Sequence, residues 1–234
     1  MRHKNRIVAS VMMMLLTSFA LLSCEKDDET ANISFVTTYP DFEMTGGLVV
    51  LVKGEEYVEP GVVATESGQE IEITTSVVGS AYIDPANSDP SNVSYTSSID
   101  TNVPGIYTIT YSATNSDNFS GSTTRTLIVL DAAPDPTVDL SGHYISSTSP
   151  ASDITKVADG VFYATNFWGG GSTVVLAGYI LTSDGVNLNI PMQESLVPIY
   201  GYGTRLANGT LDLRMTRPTF SPPLIDQVKV WEKE

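Results

Sequence analysis

Beyond about residue 40 this chain repeats with a period of two, and that constrains its fold more than any other feature. Tyr107, Ile109 and Tyr111 alternate with Thr108 and Thr110. Val186, Leu188 and Ile190 alternate with Asn187 and Asn189, and Leu211, Leu213 and Met215 with Asp212 and Arg214. Glu70-Ile71-Glu72-Ile73 follows the same rule. Alternation rich in Thr, Val, Ile and Tyr marks half-buried strands, and no apolar stripe of helical spacing has useful length. The chain is therefore expected to be all-β, built as sandwiches or barrels of short antiparallel strands. A small, proline-bearing stretch, Asp131-Ala132-Ala133-Pro134-Asp135-Pro136, follows the strand-like run Thr126 to Leu130. It predicts a semi-stiff linker over 132–138, separating a module at 40–131 from one at 139–234. Each has the size of a domain, and each is expected to fold alone.

The first 23 residues read as an address. Arg2, Lys4 and Arg6 precede an apolar run from Ile7 to Leu22, too short and too closely followed by charge for a comfortable membrane span. This is the pattern of a secretory leader. Leu21-Leu22-Ser23-Cys24 resembles the bacterial lipobox, in which the cysteine is acylated and becomes the new N-terminus. Cys24 is the chain's only cysteine. The resemblance implies that Cys24 is the lipidation site and the bilayer its partner; two acyl chains suffice for stable anchoring. Residues 24–39 then form an acidic tether and lead-in strand. Its Glu25, Lys26, Asp27, Asp28 and Glu29 resemble the surface-export signal of Bacteroidota lipoproteins, which implies an outer-membrane, surface-exposed location.

Charge and composition exclude several function classes. The formal charge is −15 at pH 7, and loss of the leader, with three basic and no acidic residues, would make it −18. Such a chain repels nucleic acid. Only His143 survives processing, and no thiol remains once Cys24 is acylated. Cysteine-based zinc sites, thiol nucleophiles and multi-histidine centres are excluded, and no cofactor is expected. No G-x-S-x-G elbow accompanies His143, which reads as a partly exposed strand residue. The expectation is a protein that is not an enzyme, with no catalytic and no metal residues. The most plausible oxygen-ligand calcium site among its carboxylates would be Asp84, Asp89 and Asp117.

Two stretches carry a family resemblance. Gly54-Glu55-Glu56-Tyr57-Val58-Glu59-Pro60-Gly61-Val62 and Val103-Pro104-Gly105-Ile106-Tyr107-Thr108-Ile109-Thr110-Tyr111-Ser112-Ala113-Thr114 resemble bacterial Ig-like surface domains, with Ser122 to Leu130 as the final strand. The resemblance spans about residues 40–131 and implies an N-terminal Ig-like β-sandwich. Leu140-Ser141-Gly142-His143-Tyr144, Ile154 to Phe162 and Asn187 to Pro191 resemble the uncharacterised C-terminal β domain of Bacteroidota surface lipoproteins, implying a second antiparallel sandwich or barrel-like domain. Such proteins commonly look like accessories of polysaccharide-uptake loci. The implied function is a non-catalytic surface lipoprotein serving glycan binding or uptake, with the Ig-like module as spacer. The alternative is a structural or protein-interaction module docking on an outer-membrane transporter or other surface protein.

Aromatic residues beside glycines mark where a glycan would bind. Trp168 precedes Gly169-Gly170-Gly171, and Tyr200 and Tyr202 flank Gly201 and Gly203. Sugars stack their C–H faces on such rings, and glycine leaves rings uncovered. Trp168, Tyr200 and Tyr202 are thus the candidate platform. Trp231, in the last strand, is expected to cover an edge or rest on the first module.

Overall fold

The computed structural model describes residues 37–146, 150–168 and 174–234. The leader, Cys24, the acidic run Glu25 to Glu29 and the glycine triplet Gly169 to Gly171 lie outside the described residues.

The first module has eight strands: β1 (Asp41–Met44), β2 (Leu48–Val52), β3 (Val62–Glu66), β4 (Gln69–Ile71), β5 (Ile73–Ala81), β6 (Tyr95–Thr96), β7 (Gly105–Thr114) and β8 (Ser120–Leu130). They form a three-stranded sheet, β1-β3-β4, and a five-stranded sheet, β2-β8-β7-β5-β6, in which β2 and β8 are parallel. The alternation at 70–73 spans a crossover: Ile71 ends β4 in the small sheet, and Ile73 begins β5 in the large one. Tyr107, Ile109, Tyr111, Leu127 and Val129 face the small sheet, packing on Phe42, Met44, Tyr57 and Val62. This is the inter-sheet core of a sandwich.

The second module is a closed barrel of β9 (Gly142–Ile145), β10 (Ser152–Ala158), β11 (Val161–Ala164), β12 (Gly178–Leu181), β13 (Asn187–Glu194), β14 (Pro198–Arg205), β15 (Leu211–Arg217) and β16 (Leu224–Lys233). Each strand pairs antiparallel with the next, and β16 closes on β9. Closure removes every free edge from this module. Leu211, Leu213 and Met215 fill the interior with Leu188, Ile190, Phe162 and Trp231, as their alternation predicts. Gly201 and Gly203 stand opposite Met215 and Leu213. A Cβ at either would lie 2.4 Å or less from a β15 carbonyl oxygen, so these glycines permit close packing and do not uncover neighbouring rings.

Residues 39–234 form one compact unit, because the two modules share a seam. Leu127, Ile128, Val129 and Leu130 are all fully buried. A strand that buries consecutive residues is covered on both faces. Here the second cover is the barrel: Ile106, Ile128 and Leu130 pack against Val161 and Leu181. Gly160, at φ +73°, sits in the junction, where a Cβ would meet Thr182 O, Leu130 and Pro134. The segment between the modules is itself tied to the barrel. Asp135 N donates to Ser183 O at 2.9 Å, and Lys156 Nζ donates to Pro136 O at 2.9 Å.

Candidate functional site

The seam leaves a cleft of about 540 Å³ between the Tyr82–Pro85 segment of the first module and the outer wall of β13, β14 and β15. Alternation places its side chains. With Leu188 and Ile190 inside the barrel, Asn187 and Asn189 point outward. Asn189 pairs with Tyr202, and Tyr202 with Arg214, so these side chains share the outer face. Tyr82 contributes a second ring from the opposite wall.

Asn189, Asp184 and Arg214 are each held by neighbours. Asn189 makes a two-way amide pair with the Ile83 backbone, receiving from Ile83 N at 3.1 Å and donating to Ile83 O at 3.0 Å. Asp184 accepts from Val186 N and Asn187 N, both at 2.8 Å, and from Asn187 Nδ2 at 2.6 Å. Burial pushes this carboxyl up, but those donors outweigh it and hold Asp184 below its usual range. It is thus an ionised acceptor, unsuited to donating a proton at neutral pH. Arg214 is paired with Asp212, which raises the guanidinium further. Burial, reinforced by the nearby Asp131 charge, raises the Tyr82 phenol well above its ordinary value, so it stays a neutral hydroxyl.

The expected aromatic platform is not assembled. Tyr200 does point out of the barrel wall, but the first module covers it. Its ring packs on Ile83 and Met192, its hydroxyl donates to Ser88 O at 2.7 Å, and burial pushes its pKa up to about 12. Trp168 is 7% exposed and belongs to the barrel core, with its backbone N–H donating to Asn166 Oδ1. Both rings are therefore corrected from exposed platform to buried positions; only Tyr202 reaches the cleft, half-buried. Trp231 is 2% exposed inside the barrel and neither covers an edge nor rests on the first module. Sequence reasoning missed Tyr82, Asp184 and Arg214. Their signal was faint: Asn187, Asn189, Asp212 and Arg214 were visible only as the polar half of two alternating strands.

Other candidates resolve simply. His143 lies on β9, exposed, with Nδ1 2.6 Å from Asp153 Oδ1. Asp84 and Asp89 each cap a short 3-10 turn, accepting from Ala86 N and Ser91 N. Among the described residues, no three of His, Cys, Asp or Glu gather into a metal-binding group. Nor, among them, is any helix long and apolar enough to cross a membrane.

Comparison with known proteins adds a family for part of the chain. Residues 78–129 match the family described as bacterial surface protein, Ig-like domain. The match runs from β5 to β8, so the Ig-like segment lies mid-chain and not at the N-terminus that the residue pattern predicts. The matched family is one of bacterial surface proteins, which fits a cell-surface location. The lipoprotein BT2262 from Bacteroides thetaiotaomicron, known from a crystal structure, is 23% identical over 82% of this chain and 98% of its own, with a TM-score of 0.36. No curated protein matches the sequence.

Proposed function

We propose that this is a non-catalytic surface protein, lipid-anchored through Cys24 to the outer membrane, that binds a glycan in the seam cleft. The observation that carries the reading is the lining of that cleft: two tyrosine rings, Tyr82 and Tyr202, with the Asn187 amide, the Asp184 carboxylate and the Asp212–Arg214 pair between them. Rings supply apolar faces for pyranose C–H groups, and amides and carboxylates read hydroxyls. In this reading the Ig-like module is a wall of the site as well as a spacer. A glycan array followed by affinity gel electrophoresis tests it. A retained glycan should lose about fivefold or more in affinity on Tyr202→Ala, since a stacking ring contributes on the order of 1 kcal/mol. A screen without a retained glycan, or a variant retarded as strongly as the wild type, would refute it. Docking on a transporter is the second reading, favoured by exposed Val228 and Val230 on the outer face of β16. A membrane-protein partner crosslinked through that strand, with the array blank, would support it.

A further inference from the structure

The barrel end away from the seam cleft holds two cations, Arg217 and Lys229, on one aromatic ring. Arg217 closes β15, with its guanidinium carbon 4.9 Å from the Trp168 ring centroid and 4.1 Å from that of Phe220. Lys229 pairs in register with Leu213, on the inner face of β16, and its Nζ lies 4.2 Å from the same Trp168 centroid. Among the described residues no carboxylate forms an ion pair with either. In a chain of 27 acidic and 12 basic residues, two bases gathered on one ring call for a cause.

The arrangement is costly as it stands. Arg217 is 7% exposed, and its Nε is buried without a hydrogen-bond partner. Burial pulls Lys229 below its ordinary value, and the Arg217 charge pulls it further. Ring contacts offset part of this, but cation–π attraction is small beside the cost of an unpaired buried charge. Phe220 is 43% exposed and Lys229 half-buried, so solvent reaches the site from the Lys229 side.

We propose that this end of the barrel is a binding site for an oxyanion, with Arg217 and Lys229 as its donors and Trp168 as its floor. An Arg fork and a lysine point charge converging on one ring suit the oxygens of a sulfate ester or a uronate carboxylate carried on a ligand. The proposal is independent of the seam cleft, which lies on the outer wall toward the barrel's other end.

The test is calorimetric titration of the full chain, at ionic strength held constant with chloride, using sodium sulfate and sodium galacturonate as separate probes. At least one should bind, and Trp fluorescence should change with it. Sulfate alone would identify a tetrahedral group, galacturonate alone a planar carboxylate. Lys229→Met, at a half-exposed position chosen to keep the fold, should weaken binding about tenfold or more, while Lys229→Arg largely restores it. Tyr202→Ala should leave this binding unchanged, which separates failure here from failure of the glycan reading. Absence of binding by both probes at about 50 mM, a concentration at which even millimolar affinity would register, overturns the proposal. So does Lys229→Met binding as tightly as the wild type.

Discussion

At the residue scale, the Tyr57–Val62 motif is explained by one buried cation. Arg125 is fully buried; it pairs with Glu59 at 2.8 Å and donates to Gly61 O at 3.0 Å. Glu59 also accepts from Tyr111, from Tyr57 at 2.6 Å and from Gly61 N at 3.0 Å. Burial would raise the Glu59 carboxyl, but the Tyr111, Tyr57 and Gly61 hydrogen bonds and the Arg125 charge outweigh it and lower its pKa. A lowered folded-state pKa gives stability that is present above the unfolded-state value and lost as pH falls through the folded one. Denaturant melts should therefore show the wild type losing stability below about pH 4.5, the range of a free glutamate. Glu59→Gln should cost about 2–3 kcal/mol at pH 7, less than a fully buried pair because Glu59 is part-exposed, and flatten that dependence. His143 has the opposite sign: its hydrogen bond to Asp153 is the main cause raising it above the ordinary imidazole value. Whatever stability it contributes is present below its unfolded pKa and lost as pH rises through the folded one. NMR titration should place it above 6.5, with Asp153→Asn returning it toward that value.

At the element scale, the strand faces decide what was legible. The period of two separates inside from outside at Tyr107 to Tyr111, Leu188 to Ile190 and Leu211 to Met215, because one face of each run meets an apolar core and the other polar surroundings; it fails at Val186, which is exposed just before β13 begins. It misleads on β14. Tyr200 has the outward parity of a surface ring, and the partner module that buries it is more than a hundred residues away in sequence. The complementary signal was present in β8, where four consecutive apolar residues break the alternation and report a strand covered on both faces. Trp168 escapes the argument for another reason: it follows β11 in a loop, where no period applies. Its truncation separates the core assignment from exposure. Trp168→Ala should cost about 3–5 kcal/mol of folding free energy by chemical denaturation, against little loss for an exposed ring. Leu130→Ala, in the seam, should cost about 2–5 kcal/mol.

At the scale of the whole molecule, the seam makes one unit of two modules. An apolar patch from Ile106, Ile128 and Leu130 meets Val161 and Leu181, and polar ties flank it at Ile83–Asn189, Ser88–Asp226 and Met192–Ser80. Interfaces of this kind couple the stability of the parts they join, unlike the loosely packed contacts of mobile domains. The cleft at this seam exists only while both walls are in register, so the proposed glycan site depends on that coupling. Differential scanning calorimetry tests it most directly. The intact protein should show a single transition, with calorimetric and van't Hoff enthalpies in agreement, and Leu130→Ala should shift that whole transition downward. Two resolved transitions, with Leu130→Ala moving only the one that belongs to the first module, would overturn the single-unit reading.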